Sequence, residues 1–124
     1  MPSDPNDDIE MLIRRIDDDP DPLHADVTPA VRALGAQGLA AVAPLLDLLA
    51  SGGDDTRLRA QRALEAIVAA RHGFRAGQGF PSRAAEDAMR AEWQANGAYD
   101  YAADSHARTV SVAKWRKWLA SARE

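Results

Sequence analysis

The chain has 124 residues, one domain's worth, and is 46% hydrophobic but only 6% aromatic, so a core must come mainly from alanine and aliphatic side chains. Its net charge of −4 is uneven: residues 1–26 hold nine acids against Arg14 and Arg15, net −7, whereas residues 27–124 hold ten acids against thirteen bases, net +3, which argues against a dedicated nucleic-acid binder. The lack of cysteine excludes disulfides and thiolate metal sites and suits the cytoplasm, and neither a secretory signal nor the roughly 18-residue apolar run of a membrane span is present.

Apolar spacing and caps predict six helices. The first covers about Asp7 to Asp18, with Ile9, Leu12, Ile13 and Ile16 on one face and acids in its first turn that suit the helix dipole. Asp19, Pro20, Asp21 and Pro22 stop it. The second opens at Thr28 with Pro29 in the first helical position and ends near Gly35 or Gly38. The third spans roughly Leu39 to Ala50 and ends at Gly52 and Gly53. The fourth follows the cap candidates Asp54 and Asp55 and carries Ala60, Ala63, Leu64 and Ile67 to about Arg71.

A glycine-rich loop, 72–81, comes next. The fifth helix begins after Ser82 and stops at Asn96 and Gly97, a good C-terminal cap. The sixth runs from about Ser105 to Ala122 with Val112, Trp115 and Leu119 on one face. No segment alternates with period two, so the expected fold class is all-α.

The chain also repeats itself. Ala30, Arg32, Ala33 and Leu34 match Ala60, Arg62, Ala63 and Leu64 at an offset of 30, and Leu12, Ile13 and Ile16 match Leu45, Leu46 and Leu49 in type at an offset of 33. The three-residue difference falls in the Asp/Pro run. Two helical hairpins of one plan thus stand in series.

The second hairpin resembles a HEAT repeat of the short form found in phycobilisome lyases. The resemblance rests on Pro44 in its first helix, Asp54 or Asp55 in its turn, and Arg57, Ala60, Ala63, Leu64 and Ile67 in its second helix. The first hairpin has Val27 where the arginine should stand but keeps Ala33, Leu34 and Gly35. The likeness is clear over about residues 28–70 and faint outside. It implies an α-α superhelix of about three hairpins (7–38, 39–72 and 82–122) in a single domain over 1–124, with an acidic N-terminus, 1–8, free to be disordered. It also implies that Arg57 is structural, pairing with a turn aspartate. About three stacked hairpins are the usual minimum for such an array.

All seven aromatics lie at or after residue 74. The plainer reading makes them the core of an atypical last hairpin; the functional one turns Tyr99, Tyr101 or Trp118 toward a partner, because exposed Trp and Tyr are favoured interface anchors. The loop residues Phe74, Arg75 and Phe80 are further binding candidates. Resemblance to HEAT-like arrays, whose second helices line the concave side, makes Arg32 and Arg62, with Arg59 beside them, a row able to accept an acidic peptide; the plainer reading is a solvated face.

Chemistry is thinly represented. Asp17, Asp18, Asp19, Asp21, His24 and Asp26 lack the glycine and distal glutamate of a calcium loop and read as a solvated acidic turn. Gly73, Gly77 and Gly79 lack the Lys-Ser/Thr end of a phosphate loop. The three histidines are scattered, and Glu86, Asp87 and Glu92 read as surface charges on one helix. No catalytic, cofactor or metal site is therefore expected. The sequence points to a protein–protein interaction module or adaptor, with composition that suits a GC-rich bacterial genome and with homodimerisation open. The alternative is an accessory or lyase subunit acting on a bound small molecule or chromophore; nucleic-acid binding ranks below both.

Overall fold

A computed structural model describes residues 5–123. The elements are α1 (Pro5–Arg14), α2 (Pro29–Ala36), a 3₁₀ turn (Gly38–Ala41), α3 (Val42–Ser51), α4 (Asp54–Arg71), α5 (Arg83–Ala95) and α6 (Ser105–Ala122). The fold is all-α with six helices; among the described residues the one β-type pairing is an isolated bridge between Arg75 and Gly79. Of the acidic N-terminus, residues 1–4 lie outside the described residues, whereas residues 5–8 already belong to α1.

Local chemistry explains most boundaries. Thr28 caps α2, its Oγ1 accepting from Val31 N at 3.1 Å, with Pro29 next where no N–H is needed. Ser82 and Asp104 cap α5 and α6 in the same way. Asp54 and Asp55 are not caps, since α4 starts at Asp54 with Gly53 before it; their carboxylates sit in the first turn and complement the dipole instead. The first helix is shorter than its apolar spacing suggests. It ends at Arg14, and the chain reaches Ile16 by turns because Pro20 disfavours helix before it and Asp19 takes a left-handed φ of 56°. Ile16 is still buried, held by Thr28 Oγ1 donating to its carbonyl at 2.8 Å.

The helices pair as α1 with α2 and α3 with α4, while α2 lies against α4 and α1 touches α3. Like helix thus stacks on like across the first two pairs. Leu34, Val42, Leu45, Leu46, Leu49, Leu64 and Val68 are fully buried between them. Alanine sets the spacing, with Ala60 and Ala63 fully buried. A Cβ added at Gly35 would lie 2.9 Å from Ala66 Cβ, so α2 and α4 approach closely only because residue 35 has no side chain.

The third pair packs in the opposite order. A continued stack would put α5 on α3 and α6 on α4; instead α6 covers α3, and α5 lies along α4. Trp115 is buried at the centre, its ring 5.1 Å from Trp93 of α5 and 5.0 Å from Trp118. The link between α5 and α6 is pinned at several points. Gly97, at φ 90°, lies so close to Ser111 that a Cβ would fall 2.9 Å from it, and Ser111 Oγ donates to the Asn96 carbonyl at 2.6 Å.

Candidate functional site

The arginine row expected on the second helices is not a free anion-binding surface. Arg59 donates from Nε and Nη2 to the Ala25 carbonyl at 3.0 and 2.8 Å, and from Nη1 to Asp17 at 2.8 Å. Arg62 donates to Asp26 at 2.7 Å and to Glu65 at 2.8 Å, and Arg32, though exposed, lies 3.7 Å from Asp21. The acidic turn is correspondingly not a loose solvated run. Thr56 holds the other oxygen of Asp17 at 2.6 Å. Backbone N–H donation from Leu23, then from His24, lowers the Asp21 carboxyl from its ordinary value. The Arg62 hydrogen bond lowers Asp26, and Asp26, ahead of Glu65, raises Arg62 in turn. Three acids before residue 27 are thus paired with three arginines after it.

Arg57 is structural, as the resemblance implied. It donates to the Gly52 carbonyl at 2.8 Å, pairs with Asp54, and reaches the Tyr101 carbonyl at 3.2 Å. Of the two readings of Tyr99, the core one holds and the partner-facing one does not: it is 2% exposed, and its hydroxyl donates to the Leu49 carbonyl at 2.9 Å, with burial raising its pKa. Tyr101 is half-buried, its N–H donating to Gln61 at 2.9 Å. Trp118 is half-buried beside Trp115.

Phe74 and Phe80 are brought together. At the end of α4, Gly73 takes a φ of 88°, with Gly73 N–H donating to Ala70 and Phe74 N–H to Ala69, the paired bonds of a glycine-terminated helix. The chain then folds back on itself between Arg75 and Gly79, helped by left-handed Gly77 and Gly79. This turn sets the two rings edge to face, centroids 5.2 Å apart. Arg75 stays exposed on the outer side of the loop.

The rings stand at the mouth of a cleft of about 480 Å³ between α4 and α5. Ala66 and Ala69 of α4 and Met89 and Trp93 of α5 form its apolar walls, and Glu65, Glu86 and Arg90 stand at its rim. The rim charges are matched, Glu86 to Arg90 at 2.6 Å and Glu65 to Arg62. On the other side of α5, His72 Nε2 meets Glu92 Oε1 at 3.0 Å, tying the helix to the end of α4. The sequence named the two phenylalanines but not the walls. Ala66 and Ala69 of α4 and Met89 of α5 carry no signal of their own, since the cleft exists only once the two helices are packed.

Among the described residues, no group of three or more His, Asp or Glu side chains is placed to hold a metal ion, and no helix is long and apolar enough to cross a membrane. Compared with known proteins, the chain matches no family model, no curated protein and no solved structure.

Proposed function

We propose that this protein is a HEAT-like helical-hairpin module that binds another protein without catalysing a reaction, and that the α4–α5 cleft receives an apolar side chain of the partner. One observation carries the reading: an apolar cleft of about 480 Å³ lined by two phenylalanine rings packed edge to face, with Phe74 41% exposed. Exposed aromatics beside an apolar concavity with a charged rim form the usual centre of an interface. The HEAT-like part is supported by the stacking of α2 on α4 and α1 on α3, and by the Arg57 clamp on its own turn.

The test is a pull-down from the source organism with the wild-type chain and with Phe74→Ala/Phe80→Ala. A specific partner that is retained by the wild type and lost by the double variant, with the melting temperature of the variant little changed, supports the assignment. Equal retention by both refutes it. A second reading draws on the cleft volume, which falls within the range of small-molecule sites, roughly 300–1,000 Å³. A saturable fluorescence change at Trp93 with a small apolar ligand, absent from a Trp93→Phe variant, would favour the accessory-subunit role over protein binding.

A further inference from the structure

A second concavity lies between α5 and α6, on the other side of α5 from the phenylalanines, with a volume of about 680 Å³. Ala91 and Ala95 of α5 give it a low apolar floor, and Lys114, Lys117 and Trp118 of α6 form the facing wall. These are the chain's only two lysines. Neither pairs with any described carboxylate, and α6 carries no acid along its 18 residues. The one acid lining the groove, Glu92, is engaged by His72 at 3.0 Å.

Trp118 is already held in place. Its ring stands edge to face with Trp115 at 5.0 Å, and the Arg71 guanidinium sits 5.5 Å from its centroid. Arg71 also lacks a described carboxylate partner. Two unpaired lysines therefore line the groove with one fixed indole, beside a strip of small side chains. A partner docking there would sacrifice little side-chain entropy at the tryptophan.

We propose that this groove binds an acidic segment of a partner protein, its carboxylates meeting Lys114 and Lys117 and an intervening apolar side chain lying over Ala91 and Ala95 against Trp118. The spacing agrees with this occupant. Residues three apart on a helix have Cβ atoms about 5–6 Å apart, and alternate side chains of an extended strand project to one side about 7 Å apart. A carboxylate–x–carboxylate segment thus spans the lysine pair. A nucleic acid fits less well, because phosphate tracking needs a longer row of cations. Here the next basic residue along the helix, Arg116, is drawn off to Asp47 at 2.9 Å. The site is independent of the α4–α5 cleft, and loss of Phe74 and Phe80 leaves it intact.

The experiment uses fluorescence anisotropy with a short labelled peptide of alternating glutamate and leucine, and the same peptide with glutamine for glutamate. The full chain is compared with Lys114→Glu/Lys117→Glu, with Lys114→Arg/Lys117→Arg, and with Arg83→Glu as an exposed control outside the groove. Circular dichroism melting checks that each variant is folded. The expected result is binding of the glutamate peptide that weakens with salt, falls roughly tenfold or more in the double reversal, and survives in the arginine pair and the control.

Four outcomes would overturn the proposal. They are equal binding of the glutamine peptide, binding undiminished by the double reversal, no anisotropy change at the highest soluble peptide concentration, and tighter retention of a single-stranded oligonucleotide of matching length. Light scattering adds a fifth: a dimer that dissociates in the double reversal would place a second copy of the chain in the groove instead.

Discussion

Replacing Arg59 by methionine tests whether the arginine face of α4 is scaffold or recognition surface. Methionine keeps most of the stem that packs on the helix and removes all five donors. In the native chain the Arg59 side chain is 11% exposed and makes three hydrogen bonds to the 17–27 loop, two to the Ala25 carbonyl and one to Asp17. Bonds to a charged donor contribute about 1.5–3 kcal/mol each when buried. Asp17 is 44% exposed and Ala25 faces solvent, so water replaces part of what is lost. For pairs of this exposure the ionic contribution is roughly 0.2–1 kcal/mol. The net cost should be about 2 kcal/mol, summing one discounted ionic bond and a shared carbonyl. For a chain of this size that is a melting temperature lower by about 8 °C. Thermal and urea denaturation followed by circular dichroism measure it, and Asp17→Asn completes a double-mutant cycle with an expected coupling of about 0.5–1.5 kcal/mol. A shift under about 2 °C would mean that the loop is held elsewhere and that Arg59 is free for another role.

Further outcomes follow from single contacts. Thr28→Val keeps the shape but loses both the α2 cap and the bond to the Ile16 carbonyl, and should cost about 2–3 kcal/mol in urea unfolding, against about 1 kcal/mol for Thr28→Ser. Gly35→Ala should destabilise by about 1–3 kcal/mol despite alanine's better helix propensity, because its methyl meets Ala66; a rise in stability would show that α2 and α4 are not in close contact. Asp26 has a folded pKa below its unfolded value near 3.8, so its stabilisation is present above that pH and lost as pH falls below it. Asp26→Asn should therefore be less stable at neutral pH and lose less on acidification, measured as the slope of urea stability against pH. Tyr99 is shifted the other way: burial raises its folded pKa, so stability holds below pH 10.0 and declines above it, and Tyr99→Phe should cost about 1 kcal/mol at neutral pH while flattening that alkaline decline.

What could be read from the sequence was what short-range chemistry decides. Thr28 with Pro29, Ser82, and Asn96 with Gly97 marked helix ends because capping involves neighbours within a few residues. The face of α6 at Val112, Trp115 and Leu119 followed from helical spacing and is buried. The partners of Arg59 and Arg62 could not be read. They lie 34 to 42 residues upstream, and a repeat equivalence between Arg32 and Arg62 says nothing about which acids fold over them. Which of the late aromatics is core and which faces outward could not be read for a similar reason. A tyrosine in a polar loop reads as exposed unless the carbonyl that takes its hydroxyl, here Leu49 some 50 residues away, is known. The cleft is less visible still, because it is a gap left by packing rather than a property of any segment.

That gap follows from how the third pair is attached. The chain leaves α4 through left-handed Gly73 and the tight turn at Gly77 and Gly79, which directs it straight back so that α5 runs beside α4. The α3 face then falls to α6, inverting the order of a simple stack. On its α6 side, α5 meets Trp115 through Trp93, the two rings tilted at 56°, and rings of that bulk hold backbones further apart than the alanines between α2 and α4 do. No residue of α5 is fully buried, and Met89 and Trp93 are half-buried. The helix is a strut propped on aromatic rings at one side and on the His72–Glu92 contact near the end of α4, and the space it fails to fill on either flank becomes the two concavities. The same aromatic substitutions that end the alanine-spaced repeat thus open the surfaces available for recognition.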